Sequence, residues 1–380
     1  MMRPAGLIAK HPYAGYYFIP VPMIGVDQYQ ACEHVSRVGK TGMIERTVVE
    51  TVGDACVDSG TRVNCFFAVR ELEFGFGRWI LGFGFVAEVV WINSGERNMS
   101  NNAQCLCGAV RWSFSGLPTS ASHCHCSMCR KAHAAAFATY YSVPCEKFQW
   151  LDGAETIRQY ASSNGNTRAF CGECGSVVPD EFDGSGSMSI PAGNHDHGIE
   201  ADHHIFVASK APWYQITDEL PRFDAYRPGS GMPEIDRAVP AQTIPGVVRG
   251  SCLCGLIQFQ VLEPFRVVHN CFCRRCRRAR SAVHTTNGFT GEAGVSFLAG
   301  TGHLKTYKLP EAKYFSQVFC ERCGSGMPRV DSSRGIAVVP FGSLDDDPKT
   351  GPEDNIYTAY KPEWFQITGT LPCFTEGPEG

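Results

Sequence analysis

Hydrophobic and polar positions along the chain alternate in short runs rather than long ones. AVRWSF (109–114), AAFATYYSVP (135–144), LIQFQV (256–261) and GIAVVPF (335–341) each read as one strand with a buried and a more polar face. No long helical period runs through either region. Gly and Pro are frequent, at 40 and 23 residues, which suits many turns between short strands. The most apolar stretch, WILGFGFVAEVVWI (79–92), is too short to span a bilayer as a helix and carries Glu88 near its middle, so no membrane segment is expected.

The pattern occurs twice. CLCGAVRWSF answers CLCGLIQFQV, AFCGECGSVVP answers VFCERCGSGMP, and PWYQITDELPRF (212–223) answers EWFQITGTLPCF (363–374). From Cys105 to Cys252 and from Cys124 to Cys271 the step is 147 residues, and from Cys171 to Cys320 it is 149. A fixed offset of this kind is the mark of an internal repeat. The chain therefore divides into an extension over 1–98, a first domain over 101–226, a Pro- and Gly-rich linker over 227–247 and a second domain over 248–376. The extension fits neither repeat, and its Cys32, Cys56 and Cys65 lack metal spacing. It reads as disordered, or as an over-extended gene reading with the true start at Met99.

The chain has 380 residues and a formal net charge of −4. That near balance argues against a dedicated nucleic-acid binder. The start, MMRPAGLIAKHPYAGYYFIPVP, has no apolar core of the kind a signal peptide carries. Nineteen cysteines are many for this length, and fourteen fall in C-x-C and C-x-x-C groups. Such close neighbours bridge each other poorly and share a metal well, so the expected setting is cytoplasmic and reducing.

The spacing sorts the fourteen into four groups. Cys105, Cys107, Cys171 and Cys174 supply four thiolates, and so do Cys252, Cys254, Cys320 and Cys323. Four thiolates close a tetrahedral zinc shell, so these two sites read as structural. The clusters Cys124-x-Cys126-x-x-Cys129 and Cys271-x-Cys273-x-x-Cys276 have only three. Three protein ligands and one open place are the arrangement of a catalytic zinc. Alternatives stay open: His123, His125 or His133 completing the shell, or an apo cluster of oxidisable thiols. Phe272 and Asn270 stand in the second copy where His125 and His123 stand in the first, so neither histidine belongs to the repeated pattern.

The order C-x-C-G, C-H-C-x-x-C-R-K, F-C-x-x-C-G, GSLDDDP (342–348) and KAPWYQITDELPRF (210–223) closely resembles the glutathione-dependent formaldehyde-activating enzyme family, also called the CENP-V/GFA domain. The resemblance covers both repeats and none of residues 1–98. It implies a mainly β fold, two tandem Mss4-like (β-tent) zinc domains beside the undetermined N-terminal extension. It also implies two zinc ions per domain and up to four per chain, with Cys124, Cys126, Cys129, Cys271, Cys273 and Cys276 as the catalytic ligands. The implied activity is that of a carbon–sulfur lyase acting on formaldehyde and glutathione, with S-hydroxymethylglutathione as the adduct. A three-thiolate zinc is a weak Lewis acid, which favours thiol capture over carbonyl activation. Glutathione is anionic, and Arg130, Lys131 and Arg277, beside the triplets, are the candidate partners for its carboxylates.

The His-rich stretch GNHDHGIEADHH (193–204) reads as surface histidines rather than a metal tract, and Trp213 and Trp364 read as sheet or pocket packing. Two further readings stand beside the enzyme. One is a zinc-stabilised module that recognises a protein, or nucleic acid through the arginines of CFCRRCRRAR. The other is a thiol sensor that releases zinc on oxidation.

Overall fold

The structure, a computed structural model, describes residues 101–163, 166–181, 184–230 and 247–378. The extension expected over 1–98 lies outside them. The first repeat runs β1 (Ala103–Gln104), β2 (Arg111–Phe114), β3 (Ser120–Cys124), α1 (Ser127–His133), β4 (Ala138–Pro144), β5 (Phe148–Asp152), β6 (Ile157–Ser163), β7 (Asn166–Cys171), β8 (Asp180–Glu181), β9 (Ser187–Pro191) and β10 (His203–Ile205). The second runs β11 (Val248–Ser251), β12 (Gln258–Val261), β13 (Val267–Cys271), α2 (Arg274–Arg280), β14 (Thr285–Gly291), β15 (Val295–Ala299), β16 (Leu304–Lys308), β17 (Ser316–Cys320), β18 (Arg329–Asp331), β19 (Ile336–Pro340) and β20 (Asp354–Ile356).

The two halves share one topology. Each has a three-stranded sheet, β1-β2-β5 or β11-β12-β15, and a two-stranded ribbon, β6-β7 or β16-β17. Each also has a five-stranded sheet, β10-β3-β4-β9-β8 or β18-β19-β14-β13-β20. Pairing is antiparallel except that β10 runs parallel to β3 and β20 parallel to β13. The mainly β expectation holds, and all four strand-like runs hold a strand. In β4, Tyr141 and Val143 point inward while Tyr140 and Ser142 are half-exposed, the period-2 alternation of a sheet with one packed face.

Two short helices were not legible. Cys126 and Cys273 cap α1 and α2, each sulfur accepting the backbone N–H of Cys129 or Cys276. Cysteine is not among the residues that announce a helix start, and seven residues show barely two turns of periodicity. Both helices end on a left-handed residue, Ala134 (φ 47°) and Ser281 (φ 50°).

The buried side chains of both halves form one continuous cluster, in which Trp112, Phe114 and Tyr141 join Phe259, Phe341 and Trp364. The halves also interlock at their C-x-x-C-G turns. Gly175 and Gly324 have φ of 75° and 73°. A Cβ at Gly175 would lie 2.4 Å from the Phe319 ring, and one at Gly324 would lie 2.6 Å from Phe170. Glycine is required there twice over, by backbone conformation and by the aromatic ring of the other repeat.

Candidate metal centres and the cavity beside them

Fourteen of the sixteen described cysteines gather into the four expected clusters, all without disulfides. In the first four-sulfur cluster Cys105 and Cys107 come from the turn after β1, Cys171 ends β7, and Cys174 follows in the next turn. The Cys105 and Cys107 sulfurs lie 3.4 Å apart, and those of Cys107 and Cys171 lie 3.7 Å apart. The second cluster repeats both distances, 3.4 Å between Cys252 and Cys254 and 3.7 Å between Cys254 and Cys320. Thiolates about 2.3 Å from a tetrahedral ion stand about 3.8 Å apart, so the donor sets fit a metal ion. Thiol hydrogens from Cys105, Cys107 and Cys171 hold Cys174 well below its ordinary pKa, and those of Cys252 and Cys320 do the same for Cys323. Backbone N–H groups of Val110 and Ile257 point at Cys105 and Cys252, at 3.4 and 3.3 Å.

The triplets are built at the junction of a strand and a helix. Cys124 ends β3, Cys126 caps α1, and Cys129 stands in its first turn, so the capping hydrogen bond folds Cys129 back over Cys126. Cys271, Cys273 and Cys276 repeat this at β13 and α2. Within each triplet the sulfurs all lie within 4.8 Å of one another, and no fourth His, Cys, Asp or Glu joins them among the described residues. Hydrogen bonds from Cys124 and Cys126 hold Cys129 well below its ordinary pKa, and those from Cys271 and Cys276 bring Cys273 down to about 3. An aromatic residue in the left-handed region packs on each triplet: Phe206 (φ 58°) on the first and Tyr357 (φ 58°) on the second. A bulky side chain there is strained, and such strain collects at functional sites.

The three histidines near the first triplet are engaged elsewhere. His123 Nδ1 pairs with Thr139 Oγ1 at 2.8 Å. His125 Nε2 pairs with His204 Nδ1 at 2.8 Å, and His204 Nε2 with Asp218 Oδ1 at 2.9 Å. His133 reaches the Arg280 carbonyl through Nδ1 at 2.8 Å and the Tyr140 hydroxyl through Nε2 at 2.7 Å. A carbonyl only accepts, so Nδ1 carries the hydrogen. Burial pushes the imidazole down to about 4, and Nε2 therefore accepts from Tyr140.

The surface reading of the His-rich stretch holds for His197 but not for His195 or His204, which are 3% and 1% exposed. Strand β10 and the turn at Ala192–Asn194 carry them inward, which their local sequence does not signal. Trp213 and Trp364 pack as expected, though across the repeats, Trp213 against Phe341 and Trp364 against Tyr141.

Arg130, Lys131 and Arg277 lie at the contact between the repeats. Arg130 donates to the Leu344 carbonyl at 3.0 Å, and Lys131 pairs with Asp345 and with Ser251 Oγ. Arg277, 1% exposed, donates to Asp196 (2.8 Å) and to the carbonyls of Tyr360 (2.8 Å), His195 (2.9 Å) and Gly193 (3.2 Å). Their Nη and Nζ donors are thus engaged inside the protein, while the Nε of Arg130 and of Arg277 is buried without a hydrogen-bond partner. The contact is reciprocal: α1 reads GSLDDDP of the second repeat while α2 reads the matching GNHD of the first.

A cavity of about 710 Å³ opens beside the first triplet, lined by Cys124, Cys126, Cys129, Tyr140, Arg168 and Tyr226 among others. That volume suits a small organic ligand. Arg168 was missed in the sequence because it lies on β7, far along the chain from the triplet. Burial opposes its charge, but Cys129, Tyr140, Cys126 and Cys124 together hold its pKa above the ordinary value.

The family profile described as "Glutathione-dependent formaldehyde-activating enzyme" matches residues 100–209 and again 247–360. A Halomonas elongata protein provisionally named a glutathione-dependent formaldehyde-activating enzyme is 28% identical over 141 residues, which is 35% of this chain and 90% of that protein. A solved Rhodobacter sphaeroides protein aligns at 18% identity with a TM-score of 0.23, over 33% of this chain and 98% of its own, a score that carries no fold assignment. Two profile matches, each falling on one of the twin halves and taking in one four-sulfur and one three-sulfur cluster, make this chain a member of the glutathione-dependent formaldehyde-activating enzyme family.

Proposed function

We propose that the chain is a zinc-dependent enzyme of the carbon–sulfur lyase type, acting on S-hydroxymethylglutathione or a related thiol adduct. The observation that carries this reading is a cluster of three sulfurs, with no fourth ligand among the described residues, in the wall of a cavity of about 710 Å³. In this reading the triplets Cys124, Cys126, Cys129 and Cys271, Cys273, Cys276 each hold one zinc, and the two four-sulfur clusters hold structural zinc. When bound, zinc at a triplet supplies an open position that favours the thiolate form of an incoming thiol at neutral pH.

The reaction joins the thiol sulfur to the aldehyde carbon, and the thiol proton ends on the former carbonyl oxygen. The reverse breaks the same C–S bond. The addition also runs unaided in water, so gathering and orienting the two partners is a large part of what the cavity contributes. Tyr140 donates to His133 and keeps oxygen lone pairs with which to accept the hydroxyl hydrogen of the adduct. Met128, Phe206 and Tyr226 line the cavity around its polar groups. We assign the working domains to 101–226 and 248–376, joined by 227–247, in a reducing cytoplasmic setting. No helix among the described residues is long and apolar enough to cross a membrane.

Two-dimensional exchange NMR on glutathione and formaldehyde at equilibrium tests the reading. Exchange between thiol and adduct is expected to speed up with zinc-loaded protein and to return to the uncatalysed rate when Cys124, Cys126 and Cys129 are replaced by Ser. No acceleration by zinc-loaded protein overturns it and turns attention to a binding role.

A further inference from the structure

The repeats are alike in their sulfur clusters and unlike in what surrounds them. By the repeat offset, Tyr140 corresponds to Asn287, His133 to Arg280 and Arg168 to Gln317. Arg168 Nη2 donates to Cys129 Sγ at 3.6 Å, and its Nη1 donates to the Thr167 carbonyl at 3.0 Å. Its Nε is buried without a hydrogen-bond partner. No carboxylate pairs with Arg168 among the described residues, so the charge of this guanidinium in the cavity wall is offset chiefly by the triplet sulfurs and Tyr140. Gln317 turns away, its amide donating to the Ala279 carbonyl at 3.4 Å. Two cations, Arg280 and Arg329, also feel the charge of Cys276, but among the described residues neither donates a hydrogen bond to a sulfur of that triplet as Arg168 does to Cys129. Arg329 is taken by Asp331 at 3.4 Å and by the Tyr314 carbonyl at 2.6 Å, and Arg280 is wedged over Gly326 with its Nη1 buried and without a hydrogen-bond partner.

Charge arithmetic gives the difference a consequence. A divalent ion and three thiolates sum to one negative charge, which opposes the entry of a fourth thiolate. Arg168 brings the first cluster to neutrality, and inside a cavity such an offset is felt far more strongly than in water. Resting on the function proposed above, we propose that the first repeat is the thiol-binding copy. Arg168 makes it so by offsetting the charge of a thiolate that enters beside Cys124, Cys126 and Cys129. The second repeat, with Gln317 in that place, takes up no thiol and serves the first as a scaffold, its Arg280 carbonyl fixing His133.

Anaerobic titration calorimetry on the zinc-loaded full chain tests this, with glutathione and separately with 2-mercaptoethanol, which has no carboxylate. Wild type is expected to bind one thiol per chain. Arg168→Gln should weaken both thiols by about tenfold or more at unchanged zinc content. Arg168→Lys, which keeps the charge, should stay within about threefold of wild type, and Gln317→Ala should change nothing. Two thiols per chain overturn the proposal, as does an Arg168→Gln affinity within twofold of wild type. Loss for glutathione alone would make Arg168 a carboxylate clamp and overturn the charge role. So would a tenfold loss in Arg168→Lys with zinc retained. A wild-type protein that binds neither thiol removes the underlying function as well, whereas binding unaffected by Arg168 removes only this inference.

Discussion

His195 stands where the second repeat has Leu344. Its Nε2 accepts the Trp112 indole N–H at 3.2 Å, and its carbonyl accepts from Trp364 at 3.1 Å and from Arg277 at 2.9 Å. Burial, and after it the charge of Arg277, push the imidazole down to about 3, with Asp196 opposing them only in part. Between the ordinary histidine value and that figure the unfolded chain binds a proton that the folded chain refuses, so this group lowers stability as pH falls below about 6.5. The loss amounts to about 2 kcal/mol between pH 7 and pH 5. His195→Leu leaves the Trp112 N–H without its partner at every pH but removes the proton linkage. Urea unfolding should therefore show wild type losing about 2 kcal/mol of its advantage over the variant between those pH values. An unchanged gap would mean that His195 is not held neutral. A one-dimensional pattern could not separate His195 and His204 from exposed His197, because the three occur within one polar run and differ only in which way the folded chain turns them.

The helices α1 and α2 do two things at once. Their first turns build the triplets, and their last turns lock one repeat to the other. The reciprocity shows in α2, where Arg277 is buried among four oxygen acceptors while Arg274, its side chain 61% exposed, reaches the same Asp196 only at 3.5 Å. Truncating the buried member of such a network strands its partners, at a cost of about 3–5 kcal/mol. An exposed ion pair contributes less than about 1 kcal/mol. Arg277→Ala is therefore expected to lower the denaturation midpoint sharply, and Arg274→Ala to leave it almost unmoved. Similar midpoints for the two would contradict the buried network. The arginine-rich string CRRCRRAR announces cations beside a triplet. It does not announce which of them face the other repeat, because that depends on where α2 lies on the turn at Ala192–Asn194.

The molecule behaves as one packed unit over the described residues rather than as two beads. Phe319 of one repeat fills the glycine notch of the other, Phe170 does the converse, and Lys305 donates to the Gly172 carbonyl at 2.6 Å. Both four-sulfur turns thus sit in the contact. Replacing Cys252 and Cys254 by Ser should therefore shift the whole molecule to a single, lower calorimetric transition. A second transition left at the wild-type temperature would show that the repeats melt independently.

The tandem repeat, the strand-rich architecture and the membership of all four sulfur clusters were legible along the chain. Short strands follow from alternation, and a C-x-C or C-x-x-C group brings its own sulfurs together through a few bonds. Even the pairing of Cys105 and Cys107 with the distant Cys171 and Cys174 could be read, because the repeat shows the same sets twice. What folding alone decided is where the clusters differ. Arg168 comes to Cys129 from another strand, His133 is fixed by a carbonyl of the second repeat, and Arg130, Lys131 and Arg277 are consumed at the contact. Each of these depends on strand register and on the packing of two near-identical halves, long-range relations that hydrophobic period and cysteine spacing do not encode.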